Sequence, residues 1–147
     1  VIARPLGKLT VVNCASPHYL TRFGYPQSPD DLTSHAIVRY TPHLGVHPLG
    51  FEVASVNGVQ WFKSGGMLTV NSRENYLAAG LAGLGIIQIP RIAVREALRA
   101  GRLIEVLPGY RAEPLSLSLI YPQRRELSRR VNLFMQWLAG VMKEHLD

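Results

Sequence analysis

The stretch Asn-Ser-Arg-Glu-Asn-Tyr-Leu-Ala-Ala-Gly-Leu-Ala-Gly-Leu-Gly-Ile-Ile-Gln-Ile-Pro, residues 71–90, reads as a capped helix that turns directly into a buried strand. Ser72 suits the cap position because its hydroxyl can accept from a free backbone N–H of the first turn. Asn71 with Glu74 three residues on is a second capping pair, so the start is set to within a residue. The pattern predicts a helix over 72–84 with Leu77, Leu81 and Leu84 on one face. Gly80 and Gly83 weaken a helix by themselves, so their presence predicts close packing against a sheet. Gly85 stops the helix. Residues 86–89 are uniformly apolar apart from Gln88, which predicts a buried strand closed by Pro90. The glycines do not form a nucleotide loop: that fingerprint follows a strand and opens a helix, and here the order is reversed.

Working outward, residues 8–14 (Lys-Leu-Thr-Val-Val-Asn-Cys) predict one buried strand. Ser16-Pro17 then opens a short helix to about Phe23, with Pro tolerated at the first helical position. Gly24-Tyr25-Pro26 ends it, and residues 28–32 repeat the start signal for one helical turn. Residues 36–40 read as a strand. Residues 41–50, with two Pro, two Gly and two His, read as a loop. Residues 51–56 and 59–63 flank Asn57-Gly58, a pair suited to a type I′ hairpin turn. Gly65-Gly66 lead into a strand over 67–71. On the other side, 92–100 predicts a helix stopped by Gly101, and 103–107 and 115–121 predict strands. Ser128 caps a last helix on which Val131, Phe134, Leu138 and Val141 recur at helical spacing and require a packing surface. Strands and helices alternate around one hairpin, without internal repeat, low-complexity segment or flexible linker, which predicts an α/β architecture.

Composition narrows the function classes. The 147 residues are 47% hydrophobic and 18% charged, values of a globular chain able to bury a core. No apolar run approaches the roughly 18 residues of a membrane span, and no signal-peptide pattern is present. A single cysteine, Cys14, excludes an internal disulfide and fits a reducing cytoplasm. The net charge is +6. Its densest run, Arg124, Arg125, Arg129 and Arg130, lacks interleaved aromatics, so it reads as solvated surface rather than a groove-reading element.

Chemical constellations are sparse. Cys14 with His18 would suit a nucleophile and base, but Cys14 sits in an apolar strand, where an inert thiol is the simpler reading. His43 and His47 are four apart in a Gly/Pro loop rather than on a helix, so a pocket rim or surface role is favoured over a metal site. Asp30-Asp31 complement a helix dipole. The N-terminus at Ser72 stands out, because its free N–H groups can hold a carboxylate or phosphate.

Three segments together resemble one family. The first holds Arg4, Leu6, Gly7, Ala15, Ser16, Pro17, Tyr19, Leu20, Gly24, Pro26, Pro29, Asp31 and Leu32. The second holds Val70 to Asn75 followed by Ala82, Gly83, Gly85, Ile86 and Pro90. The third holds Gly101, Arg102, Leu103, Val106, Leu107, Pro108, Pro114, Leu115, Tyr121, Pro122, Arg125, Leu127 and Ser128. In order and spacing they resemble the effector-binding domain of LysR-type transcriptional regulators, over nearly the whole chain.

The resemblance implies a type 2 periplasmic-binding-protein-like fold of two α/β subdomains with a small-molecule effector between them. Residues 8–113 would form the second subdomain, and residues 114–147 would return a strand and helix to the first. The rest of the first subdomain and a winged helix-turn-helix would lie outside this chain. By position, the effector would meet Thr41, His43 and Phe51 of the loop, Asn71, Ser72 and Arg73 at the helix start, and Ser116 and Ser118 on the crossing strand. The family often carries Asp where this chain has Ser72. The implied protein is not an enzyme and needs no cofactor or metal. It self-associates as a dimer or tetramer, binds a possibly anionic effector, works in the cytoplasm, and meets DNA only through the domain outside the chain. Two other classes share some of these features: a transporter's solute-binding protein of the same fold, and a small Cys/His-dependent hydrolase.

Overall fold

The computed structural model describes residues 1–43, 45, 50–66, 68–122 and 127–146. The elements run β1 (Ile2–Leu9), β2 (Val11–Ala15), α1 (Pro17–Phe23), a 3₁₀ helix (Pro29–Ser34), β3 (Arg39–Tyr40), β4 (Phe51–Ser55), β5 (Gly58–Phe62), β6 (Thr69–Val70), α2 (Arg73–Leu81), β7 (Ile87–Pro90), α3 (Arg91–Arg99), β8 (Ile104–Val106), β9 (Leu115–Tyr121) and α4 (Arg129–Met142). They fall into two compact units, Val11–Glu113 and Val1–Thr10 with Pro114–Asp147.

The larger unit is built on an antiparallel sheet ordered β7-β2-β8. All five residues of β2 are buried, and the strand contributes to two cores. Val12 and Cys14 join Ile87 and Ile89 beneath α2 and α3, against Tyr76, Ala79, Val94 and Ala97. Ala15 joins Tyr19, Leu20, Leu32, Phe51, Val53, Ile86 and Val106 on the other side. A Cβ placed on Gly80 would lie 2.5 Å from Cδ1 of Ile87, so this glycine lets α2 settle onto β7. Ser16 caps α1 through the N–H of Tyr19, as the local sequence predicts.

Several boundaries differ from those read in the sequence. The strand expected over 8–14 is two strands: Lys8 and Leu9 pair with Ser116 and Leu115, whereas Val11 pairs with Pro90. The chain passes between units at Thr10, so the larger unit starts at Val11 rather than at residue 8. An apolar pattern that runs on through both strands cannot mark such a crossing. The hairpin turns one residue early: Ser55 pairs with Gly58, leaving Val56-Asn57 in the turn. Neither has positive φ, so the turn is not type I′, and Gly58 alone takes the left-handed region at 114°. Helix α2 ends at Leu81 and buries Tyr76, Ala79 and Gly80, while Leu84 lies beyond it and is 54% exposed. The strand expected over 67–71 is reduced to Thr69–Val70, and Met67 lies outside the described residues.

In the smaller unit β1 and β9 pair antiparallel, with an irregularity between Pro5 and Gly7. Ser128 caps α4 through the N–H of Val131. The buried position of α4 is Met135, whereas Val131, Phe134 and Val141 of the expected stripe are exposed. Among the described residues, no helix is long and apolar enough to cross a membrane.

Candidate functional site

Strands β3 and β6 form the one parallel pair among the described strands, with Arg39 opposite Thr69 and Tyr40 opposite Val70. The N–H of Thr41 continues the ladder to the carbonyl of Val70 at 2.9 Å. Both strands therefore end at the same edge. Thr41 leaves one, and Asn71-Ser72 leaves the other straight into α2. Ligands of open α/β sheets sit outside the carboxyl ends of parallel strands, where loops and helix N-termini converge.

Each side chain at this edge has a definite setting. The hydroxyl of Ser72 accepts from the N–H of Asn75 at 3.1 Å, so it is the cap of α2. Thr41 is buried, and its hydroxyl donates to the carbonyl of His43 at 2.8 Å. His43, Asn71 and Arg73 are exposed. The amides of Arg73 and Glu74, in the first helical turn, have no acceptor within the helix. Arg73 adds positive charge at this edge and Glu74 negative charge.

Other predicted residues are placed differently. Phe51 has no exposed surface and packs in the core beside Leu32 and Val53, so its side chain is structural. Ser116 and Ser118 are exposed on β9, in register with Lys8 and Pro5 of the smaller unit. His47 lies outside the described residues, as does part of the loop that carries it.

The sequence reading passed over two tyrosines at the edge. The Tyr40 ring lies 5.6 Å from that of Tyr76 and is 40% exposed. The hydroxyl of Tyr76 accepts from the N–H of Gln88 at 2.7 Å, tying α2 to β7, and burial raises its pKa. The alternation Val38-Arg39-Tyr40 carried the signal: Val38 enters the core, so Tyr40 two residues on lies on the same face.

Cys14 is not poised for chemistry. It is fully buried in β2, and burial, helped by the charge of Glu105, pushes its thiol to about 12. A nucleophilic cysteine needs its thiolate form and access. His18 is exposed at the start of α1.

Comparison with known proteins agrees with this architecture. Residues 1–143 match the family described as the LysR substrate binding domain. The HTH-type transcriptional regulator YhjC of Escherichia coli (strain K12) is 97% identical over 147 residues, which are 100% of this chain and 49% of that protein. An HTH-type transcriptional regulator of Haemophilus influenzae is 35% identical over 131 residues, 89% of this chain and 45% of that protein. The chain thus spans about half the length of the relatives it matches. Among solved structures, the full-length Vibrio cholerae virulence activator AphB, an LTTR protein, gives a TM-score of 0.80 at 25% identity, covering 99% of this chain and 48% of that one. The regulatory domain of AphB from Vibrio vulnificus gives 0.75 at 26% identity, covering 95% and 68%. The fold is the mixed α/β, periplasmic-binding-protein-like type 2 fold of these regulatory domains. By its residue pattern, its strand and helix order and these likenesses, the chain belongs to the LysR substrate-binding domain family, the effector-binding domain of LysR-type transcriptional regulators.

Proposed function

We propose that this domain holds a small anionic effector at the carboxyl edge of the β3–β6 pair, against Thr41, His43, Asn71, Ser72 and Arg73. The observation that carries the reading is the parallel register, which brings Thr41 and the capped start of α2 to one edge. The amides of the first helical turn and the positive end of the dipole favour a negative group there by about 0.3–1 kcal/mol. Ser116 and Ser118 remain candidates through the family resemblance alone. In this reading the full-length protein is a self-associating cytoplasmic regulator that meets its operator through a helix-turn-helix, and effector binding alters its association and so transcription.

Ser72→Asp tests the site. Asp caps a helix as well as Ser, so the fold is retained while a fixed negative charge repels an anionic ligand. A panel of small mono- and dicarboxylates is screened by thermal shift on the unaltered chain and on S72D. Ligand at about 100 times its Kd raises stability by about 2.7 kcal/mol. The expected result is at least one compound that shifts the unaltered chain and not S72D. No shift with any carboxylate, or an equal shift in both proteins, removes the anionic reading of this edge.

A further inference from the structure

Helix α3 carries Arg91, Arg95 and Arg99 one turn apart, and Arg102 follows just beyond its end. Steps of four residues advance about 6 Å and rotate about 40°, so the three helical arginines lie within about 80° of arc. The apolar side of the helix is committed elsewhere: Val94 and Ala97 are buried and Leu98 packs on the same core. The stripe is therefore held by a packed helix rather than a loop. Arg95, Arg99 and Arg102 are exposed and Arg91 is half-buried. Among the described residues only Arg99 of the four has an acidic partner, Glu96 at 3.8 Å, and both of those side chains are more than 70% exposed. An exposed pair of that kind is weak.

We propose that this stripe is a sequence-independent contact for the phosphate backbone of duplex DNA. The guanidinium fork matches phosphate oxygens better than an ammonium does, and a duplex presents one negative charge per about 1.7 Å of axis. The effector edge proposed above lies at Thr41 and the start of α2, on other elements than this stripe, and a family of transcriptional regulators works beside DNA. The other occupant to weigh is an acidic face of a second copy, and the described acids of the larger unit do not supply one. Asp31 accepts from the N–H groups of Gln27 and Ser28, Glu52 accepts from that of Glu113, Glu96 faces Arg99 and Glu105 binds Arg111. That leaves Asp30 on the 3₁₀ helix, Glu74 on α2 and Glu113 in the segment between β8 and β9. The contact would add to operator recognition by a helix-turn-helix and carry no base readout.

The test is fluorescence anisotropy of a labelled duplex of arbitrary sequence, titrated with the 147-residue chain across a salt series. Each phosphate contact contributes about −0.9 to the slope of log K against log salt. Arg91→Gln/Arg95→Gln/Arg99→Gln should reduce the slope by about 2.7 and lower low-salt affinity at least about tenfold. Arg129→Gln/Arg130→Gln on α4, a charge-removing control, should leave the slope nearly unchanged. Circular dichroism melts confirm that each variant folds; if the triple variant does not, Arg95→Gln alone should still reduce the slope by about 0.9. The proposal is overturned if the chain binds no duplex at the lowest salt, or if the stripe variants keep the original slope. It is also overturned if the α4 control loses as much slope per charge.

Discussion

The carboxamide of Gln88 grips the backbone of Glu52 at both ends: its Oε1 accepts from the Glu52 N–H at 3.0 Å, and its Nε2 donates to the Glu52 carbonyl at 2.8 Å. A side chain on β7 thus gives β4 the pairing that a neighbouring strand would provide. Nε2 also donates to Oδ1 of Asn13 at 2.9 Å, and Nδ2 of Asn13 continues to the carbonyls of Leu107 and Tyr110 at 3.3 and 3.0 Å. Leu107 is the one described non-glycine residue with positive φ, 49°, so this network also holds a strained backbone position.

Gln88→Ala would leave both backbone groups of Glu52 and the Oδ1 of Asn13 without these partners. Each unsatisfied buried group costs about 1–3 kcal/mol, and partial rehydration lowers the total, so a loss of roughly 2–4 kcal/mol is expected. Gln88→Glu keeps one acceptor but sets a carboxylate oxygen against the Glu52 carbonyl and Oδ1 of Asn13, and should cost at least as much as alanine. Urea unfolding of the three proteins measures this. A change below about 0.5 kcal/mol in the alanine variant would mean that water replaces the carboxamide.

Two glycines should respond differently to alanine. At Gly85 a Cβ would sit 2.6 Å from the carbonyl oxygen of Ala36, a backbone atom that also accepts from the N–H of Ile86. That clash cannot be relieved by a rotamer, so Gly85→Ala is expected to cost about 1–3 kcal/mol. At Gly80 the nearest atom is Cδ1 of Ile87, the tip of a side chain, and alanine gains up to about 1 kcal/mol of helix propensity. Gly80→Ala should therefore be the milder change. Equal melting temperatures for the two variants would contradict this ordering.

Stability should fall as the solution is acidified through the histidine range. The hydroxyl of Tyr19 accepts from the N–H of Ala36 at 2.9 Å and shares a hydrogen bond with Nδ1 of His35 at 2.8 Å. Burial lowers the pKa of His35 below 6.5, with Asp31 opposing in part. Between the two pKa values the unfolded chain binds more protons than the folded one, so stability rises with pH there. The contribution is complete above 6.5 and is lost as pH falls through the folded-state pKa. A titration of the His35 ring by NMR should give a midpoint below 6.5, and a midpoint at or above that value would contradict the assignment.

Cys14 should be inert in the native protein. With the thiol pushed to about 12 and no exposed surface, alkylation has to wait for unfolding. Labelling by iodoacetamide at mildly alkaline pH is expected to track the unfolding rate and to become immediate in denaturant. Rapid labelling of the folded chain would show that β2 opens locally.

The sequence by itself determined the parts that depend on near neighbours. The serine caps at Ser16, Ser72 and Ser128 were legible because a cap is a hydrogen bond spanning three residues. The strand Leu115–Tyr121 was legible for a similar reason, since its bounds lie in local turn chemistry. Only the tertiary structure decided which strands meet. It made Thr10 a crossing point, moved the hairpin turn to Val56-Asn57 and sent Phe51 into the core. It also paired β3 with β6 in parallel, so that Thr41 and Ser72, thirty-one positions apart in the sequence, leave the same sheet edge. Such pairings are selected by the burial of distant apolar faces against one another, and periodicity shows that a face exists without showing which face it will cover.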